Sequence, residues 1–151
     1  MKRTLPLAVV FVLGSALLVN CSGHSPSEPA GPDFLTLANI TPASGSTLSP
    51  GSGVTFTANL DYQETCVDAG LGESGGTIAM SIYDQTGKLL SPSVSKTVGN
   101  GRGSASLSGR ISVPPAGVSQ VDVVLTLTPA ALNCLLQFQS FVVSATYPVS
   151  S

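Results

Sequence analysis

Residues 53–66 read Gly-Val-Thr-Phe-Thr-Ala-Asn-Leu-Asp-Tyr-Gln-Glu-Thr-Cys, and this stretch decides the fold class. Apolar side chains occupy every second position from Val54 to Tyr62, and Thr, Asn and Asp occupy the positions between them. A period of two predicts a β-strand with one face in a core and the other in water. The stretch ends at Cys66, and Cys134 is the only cysteine that follows it.

Similar short runs, separated by turn residues, continue along the chain and predict six more strands. Pro92 marks one run as an edge strand or divides it in two. Gly99-Asn100-Gly101 predicts a hairpin, because Asn and Gly both tolerate positive φ. We therefore expect an all-β sandwich of about seven antiparallel strands, with another small β-barrel or a jelly-roll fragment as the alternative. The six further strands are predicted at Phe34–Ile40, Thr77–Tyr83, Lys88–Val98, Gly103–Val113, Val121–Thr128 and Gln137–Tyr147.

Composition limits both the core and the partners. The 151 residues include five Phe, three Tyr and no Trp, so a core would consist mainly of Val, Leu, Ile and Ala. Once residues 1–20 are removed, four basic residues remain against eight acidic ones, a net charge of −4. The sequence has no basic stripe, which leaves nucleic-acid binding without an electrostatic basis.

The N-terminus has the layout of a secretory signal. Lys2 and Arg3 precede an apolar run from Leu5 to Val19, as in the n-region and h-region of an export signal. The run is shorter than the roughly 20 residues of a membrane-spanning helix, which disfavours the alternative of an uncleaved anchor. We expect residues 1–20 to be a signal peptide, residues 21–33 a tether and residues 34–151 the sandwich domain.

The apolar run ends Leu18-Val19-Asn20-Cys21, which resembles the signal of bacterial lipoproteins. The resemblance implies cleavage before Cys21 and attachment of a lipid to it, so that a membrane is the partner of the N-terminus. Asn20 departs from the pattern, in which a small residue is usual before the cysteine. The resemblance also implies that Ser22, after the cysteine, permits sorting to an outer membrane where the cell has one. The expected location is the cell envelope, outside the cytoplasm.

Residues 22–32 are rich in Ser, Pro and Gly and have nothing to bury, so we expect an extended or disordered tether. Fully stretched, this segment reaches at most about 40 Å. It contains His24, the only histidine of the chain. Because a metal site needs several converging ligands, we expect none at His24.

Ile40-Thr-Pro-Ala-Ser-Gly45, Leu48-Ser-Pro-Gly51 and Val54-Thr-Phe56 together resemble the opening of bacterial immunoglobulin-like domains. The resemblance implies architecture and no activity. In that topology the second-to-third and sixth-to-seventh connections lie at one end, and Cys66 and Cys134 fall in them. The resemblance thus implies a Cys66–Cys134 disulfide in an oxidising compartment, with two free thiols as the alternative. It also places the start of the first strand, and hence the tether, at that end.

Gly72-Glu-Ser-Gly-Gly76 resembles the serine-nucleophile segment of trypsin-like proteases, with Glu73 where Asp is usual. A nucleophilic serine needs a base to take its proton, and the predicted domain has no histidine. We therefore interpret Ser74 as a loop residue and expect no enzyme activity.

Four nearby acids could supply oxygen ligands to calcium, but their spacing matches no calcium loop, so we expect neither a metal nor a cofactor. The expected function is a non-enzymatic, lipid-anchored module that supports the envelope or binds an envelope protein. The alternative is a carbohydrate-binding or enzyme-accessory module, which usually needs aromatic platforms. The four acids are Asp61, Glu64, Asp68 and Glu73, and the tyrosines, all in predicted strands, are Tyr62, Tyr83 and Tyr147.

Overall fold

The computed structural model describes residues 33–65, 67–68, 73–112, 117–130 and 140–150. These residues form nine β-strands and contain no helix. The strands are β1 (Phe34–Thr41), β2 (Val54–Glu64), β3 (Val67–Asp68), β4 (Glu73–Ser74), β5 (Gly76–Asp84), β6 (Val94–Val98), β7 (Gly101–Ile111), β8 (Gln120–Pro129) and β9 (Phe141–Pro148).

Seven of the strands form two antiparallel sheets. One sheet has three strands in the order β1-β2-β7, and the other has four in the order β6-β5-β8-β9. The short strands β3 and β4 pair with each other as a separate ribbon. The prediction of an all-β sandwich of about seven antiparallel strands is confirmed. The ribbon is an addition within the connection predicted between β2 and β5.

The core lies between the inner faces of the two sheets, where apolar side chains alternate with outward polar ones. β2 follows its predicted pattern, since Phe56, Ala58 and Leu60 are buried and the residues between them are not. The alternation extends one step beyond the prediction, because Glu64 at the end of β2 is also on the inner face and fully buried. Burying one Leu, Ile or Phe side chain contributes about 1.5–3 kcal/mol. The largest fully buried side chains are Tyr147, Phe56, Leu60, Ile78, Met80, Ile82, Ile111, Leu125, Leu127, Glu64, Val121 and Val123.

Tyr147 joins the core to the connection that follows β1. Its ring packs against Phe56, with the two centroids 4.9 Å apart. Its hydroxyl donates a hydrogen bond of 2.8 Å to the carbonyl oxygen of Pro42, and burial raises the pKa of Tyr147, which keeps that donor protonated. A parallel bridge between Leu48 and Val149 holds the same connection. The last strand is thereby fastened to the start of the domain.

The hairpin predicted at Gly99–Gly101 is wrong. β6 pairs with β5, whereas β7 pairs with β2 along its whole length, so residues 99–100 carry the chain from one sheet to the other. Turn residues favour a reversal of the backbone but do not specify which strand the next segment joins. Beside β2, β7 places Ala105, Leu107 and Ile111 in the core. In a constant-type immunoglobulin domain the fourth strand lies beside the fifth, but here it lies beside the third.

The run at residues 88–98 shows both effects predicted from Pro92. Leu89 forms an isolated bridge with Tyr83, and β6 begins only at Val94, at the edge of its sheet. Pro92 lies between these two pairings, where the ladder needs no N–H donor. Val113 and residues 137–139, which the predicted strands include, lie outside the described residues.

Candidate functional site

The chain enters the sandwich at a fixed point beside the end of β2. Thr65 donates two hydrogen bonds to one carboxylate oxygen of Asp33, from its backbone N–H at 2.9 Å and from its hydroxyl at 2.6 Å. Phe34, the next residue, pairs with Gln63. Hydrogen bonds to an ionised acceptor are stronger than neutral ones, so they hold the first described residue to the domain. The first strand therefore starts at the end of the sandwich where β2 finishes, as predicted.

The connections that follow β2 and β8 border this same end. Ala130 donates a backbone hydrogen bond of 2.9 Å to the carbonyl oxygen of Gly75. One residue further along, Gly76 pairs with Pro129. The residues that flank the two connections are thus neighbours, as the immunoglobulin-like topology predicts.

The predicted lipid and disulfide positions all fall outside the described part of the chain. Cys21 precedes it, and Cys66 and Cys134 belong to the two connections whose flanks meet at Gly75 and Ala130. Residues 1–20, predicted as a signal peptide, and the tether up to residue 32 are outside it as well. The lipid, disulfide, signal-peptide and tether assignments therefore stay predictions. The described residues add only the position of Gly75 and Ala130, which flank the two cysteine-bearing connections.

Gly75 packs against the segment that crosses between the sheets. Its φ is +90°, and a Cβ built on it would lie 2.3 Å from the carbonyl oxygen of Val98 and 3.1 Å from the Cα of Gly99. Atoms do not approach that closely without displacement, so a side chain here requires the backbone to shift. Close backbone contact between Gly75 and the Val98–Gly99 segment therefore organises the end of the sandwich where the chain enters.

A side chain organises the opposite end of the sandwich. One carboxylate oxygen of Asp84 accepts hydrogen bonds from the Thr86 N–H at 2.8 Å, the Thr86 hydroxyl at 2.6 Å and the Lys88 N–H at 3.0 Å. The Thr86 hydroxyl is the main cause of a lowered pKa at Asp84; the two N–H groups and the Lys88 charge add to it, and desolvation opposes it. Gly87 completes this turn with a φ of 81°.

Gln85 links that turn to the connection that follows β7. Its side-chain amide donates to the carbonyl oxygen of Gly117 at 2.9 Å, and its side-chain oxygen accepts from the Ser119 N–H at 3.2 Å. The carbonyl oxygen of Ser119 in turn accepts a backbone hydrogen bond of 2.9 Å from Val149. Two turns and the C-terminal end of the described chain thus form one hydrogen-bonded surface, which we call the distal end (residues 84–88, 117–119 and 149).

Two of the acids considered as calcium ligands point away from each other. Asp61 lies on the outer face of β2 and accepts a hydrogen bond of 2.7 Å from Ser104, whereas Glu64 lies on the inner face. Carboxylates on opposite faces of one strand do not converge on one cation. Among the described residues, no group of three His, Cys, Asp or Glu residues is placed to hold a metal ion.

Ser74, the serine considered as a nucleophile, lies in β4 and not in an irregular loop as predicted. Its backbone pairs with Val67 of β3. His24, the one candidate base in the sequence, lies outside the described residues. The described part of the chain therefore contains no histidine that could act as a base for Ser74.

Polar side chains cover the outer face of the three-stranded sheet. Asn59 donates a hydrogen bond of 2.7 Å to the side-chain oxygen of Asn39. At one end of this face the guanidinium carbon of Arg102 lies 5.6 Å from the ring centroid of Phe34, within the range of cation–π contacts. Arg110 lies at the other end of the same strand. Sequence reasoning missed this face because its members become neighbours only through strand pairing.

Two of the three tyrosines considered as sugar platforms belong to the core. Tyr147 is fully buried and Tyr62 is nearly so. Tyr83 is half-buried on the outer face of the four-stranded sheet, opposite Asp122. Since a sugar platform needs an exposed ring face, these positions give little support to carbohydrate binding.

Comparison of the chain with protein-family models gave no match, and comparison with curated protein sequences gave none either. Within the part of the chain that the structure describes, no helix has the length and apolar character to cross a bilayer. Function is therefore inferred from the residues and their arrangement.

Proposed function

We propose that this chain is an exported, lipid-anchored protein of the bacterial cell envelope, and that its sandwich is a non-enzymatic structural or protein-binding module. The apolar leader and the Leu18–Cys21 segment support export and acylation. The observation that carries the module role is the double hydrogen bond from Thr65 to Asp33. It gives the chain arriving from Cys21 one defined point of entry, which is what a tethered module needs to hold a constant orientation.

A disulfide between Cys66 and Cys134 belongs to this proposal. The hydrogen bond from Ala130 to Gly75 brings the flanks of both cysteine-bearing connections together. An exported chain meets an oxidising compartment, where paired cysteines persist as disulfides. Closing a loop of this length would contribute about 4 kcal/mol in the chain-entropy account.

The lipid would also set which end of the sandwich faces the membrane. Residues 22–32 reach at most about 40 Å when fully stretched, so the domain stays close to the bilayer. The end at Asp33 and Thr65 then faces the lipid, and the distal end faces away from it. The distal end is thus the part of the module most accessible to other envelope components.

The intact mass of the membrane-extracted protein tests the anchor and the disulfide together. The expected mass is that of residues 21–151 with acyl groups on Cys21, less two hydrogens for the Cys66–Cys134 bond. The Cys21→Ser variant is the control and should lose the acyl mass and the membrane association. A mature chain that begins elsewhere, or that carries no lipid, would contradict the proposal.

Energy transfer to the membrane tests the orientation. A donor fluorophore is placed at Asn100 or at Thr86 in protein reconstituted into vesicles whose headgroups carry an acceptor. The 11 residues of β2 join the two ends, and a strand of that length spans about 35 Å. Transfer should be strong from Asn100 and weak from Thr86, and the opposite ranking would show that the distal end faces the lipid.

Capture from solubilised membranes separates the module role from the alternative. Stable protein partners on the immobilised full chain support the proposed role, whereas retention on purified glycans alone supports a carbohydrate-binding module. Tyr83→Ala is the matched variant, because it removes the one tyrosine ring that is not in the core. Loss of glycan retention in that variant would favour the alternative.

A further inference from the structure

Asn100 is followed by glycine in the segment that carries the chain from one sheet to the other. The sequence contains one Asn-Gly pair, Asn100-Gly101. Asn100 lies between β6 and β7, outside both strands, and it is exposed. Among the described residues its side-chain amide has no hydrogen-bond partner, so no such bond holds this side chain in one rotamer.

The two glycines that flank Asn100 leave space around it. A Cβ built on Gly99 or on Gly101 would have nothing within 4 Å, and the φ of Gly101 is +97°. Gly101 pairs with Glu64 at the very end of the β2–β7 ladder, and the end of a ladder opens at little cost. Each opening lets the backbone nitrogen of Gly101 approach the side chain of Asn100.

Two asparagines within strands lack this freedom. Asn39 and Asn59 pair with each other across β1 and β2, and the Asn59 side chain donates a hydrogen bond of 2.7 Å to that of Asn39. The residues that follow them, Ile40 and Leu60, are bulky and belong to the core. Strand pairing and a large following residue both oppose attack on these two side chains, which therefore serve as internal references for Asn100.

We propose that Asn100 is a site of spontaneous deamidation. The backbone nitrogen of Gly101 attacks the side-chain carbonyl carbon of Asn100 and forms a C–N bond that closes a succinimide ring. The bond from that carbon to the side-chain nitrogen breaks, and ammonia leaves with the proton that the Gly101 nitrogen gives up. Water, which is the only co-reactant, then opens the ring to aspartate or to isoaspartate. This inference depends on neither the lipid anchor nor the proposed module role.

Isoaspartate would lengthen a connection that the two sheets hold at both ends. β6 ends at Val98, which pairs with Gly76, and β7 starts at Gly101, which pairs with Glu64. Only residues 99–100 lie between the two strands. In isoaspartate the main chain runs through the former side chain and gains a carbon atom, so the strand pairs next to the connection should loosen. Aspartate adds the same charge but leaves the main chain unchanged.

Mass spectrometry of tryptic peptides tests the proposal. Trypsin releases residues 97–102, in which Asn100 is the only asparagine. The full chain is incubated in detergent at physiological temperature, and a sample digested without incubation gives the background. Asn100 should gain the mass difference between an amide and a carboxyl group, faster in mild alkali than in mild acid, because the deprotonated nitrogen attacks. Isoaspartyl methyltransferase should label the product, and Asn39 and Asn59 should keep their mass.

A synthetic peptide of residues 97–102 sets the reference rate. The intact chain should deamidate within about tenfold of the peptide rate, since the end of the ladder opens at little cost. Asn100→Gln is the matched control, because it keeps a side-chain amide of the wrong length for the ring and should show no gain. Conversion of the peptide with no change at Asn100 in the intact chain would overturn the proposal. Equal gains at Asn39 and Asn59 would also overturn it, because the fold would not select the site.

Hydrogen exchange tests the effect of the lengthened main chain. In the isoaspartate form, separated by chromatography, the amides of Val98 and Gly101 should exchange faster than in the unmodified chain. Asn100→Asp carries the charge on an ordinary main chain, and its amides should keep their rates. Equal rates in the isoaspartate form and in Asn100→Asp would show that the extra carbon does not disturb the sheets.

Discussion

The two connections that flank β6 both contain a turn sequence with glycine, yet they lead the chain to different sheets. The first begins at Asp84–Gly87 and keeps the chain in the four-stranded sheet, whereas residues 99–100 carry it into the three-stranded sheet. Within the first connection, the Asp84 carboxylate accepts hydrogen bonds from the backbone N–H groups of Thr86 and Lys88. The second lies against Gly75, more than 20 residues away in sequence. Local chemistry therefore fixes one reversal, and contact between distant segments fixes the other.

The Gly75→Ala substitution should have the largest effect, because it acts on the connection that depends on distant contact. The added Cβ has to occupy a position 2.3 Å from the carbonyl oxygen of Val98, at a φ of +90°. The left-handed backbone costs about 1–2 kcal/mol, and overpacking adds about 1–3 kcal/mol. We expect the free energy of unfolding, measured by urea denaturation, to fall by about 3 kcal/mol.

Gly87→Ala is the matched control for that experiment. Gly87 has a φ of +81°, close to that of Gly75, but nothing lies within 4 Å of its built Cβ. The substitution should therefore cost only the backbone term, about 1 kcal/mol. Equal losses in the two variants would mean that the crossing segment does not depend on Gly75.

These two glycines show which part of the fold the sequence was able to predict. The alternation in β2 is a local pattern and was predicted correctly, and the turn at Asp84–Gly87 is a local structure of the same kind. Where β6 leaves β5, Val98 lies against Gly75, and no local pattern in residues 94–101 expresses that contact. The predicted hairpin failed for this reason.

Asp84→Asn should have the next largest effect, because it weakens the connection that depends on local chemistry. The carboxylate accepts three hydrogen bonds from Thr86 and Lys88, and a neutral amide oxygen accepts them more weakly. We expect a lower melting temperature, with a smaller loss than in Gly75→Ala. Thr86→Val, which removes the hydroxyl and keeps the N–H, should produce part of the same loss. A melting temperature unchanged in both variants would contradict a structural role for the carboxylate.

The contribution of Asp84 should also depend on pH. Its folded-state pKa lies below the usual value, so the stabilisation is present above an unfolded-state pKa of about 4 and is lost as pH falls through the folded-state pKa. The stability difference between the wild type and Asp84→Asn should therefore be larger at neutral pH than under strong acid. Denaturation curves measured across that range check the sign, and a difference that grows toward acid would contradict it.

Sequence reasoning identified less of the candidate site than of the fold. The position where the chain enters was predicted from the immunoglobulin-like resemblance, and the bond between Asp33 and Thr65 agrees with it. The crossing at Asn100 was not predicted, because it exists only where β6 and β7 belong to different sheets. The Asn100-Gly101 pair was visible in the sequence, but its consequence depended on which strands lie on either side of it.

Gln85→Ala should have the smallest effect, and it distinguishes a long-range link from a local one. Gln85 joins the first connection to Gly117 and Ser119, more than 30 residues away, through two exposed hydrogen bonds. An exposed hydrogen bond contributes little net stability, so the total loss should be about 0.5–1 kcal/mol. The Ser119 amide should nevertheless exchange faster, and so should the Val149 amide that bonds to the Ser119 carbonyl.

Ser52→Ala is the control for this experiment. It removes an exposed hydrogen bond of 2.9 Å to nearby Ser49, and it should leave the exchange of both amides unchanged. If the Ser119 and Val149 amides responded equally to the two variants, the distal end would not be the single hydrogen-bonded surface that Gln85 joins together.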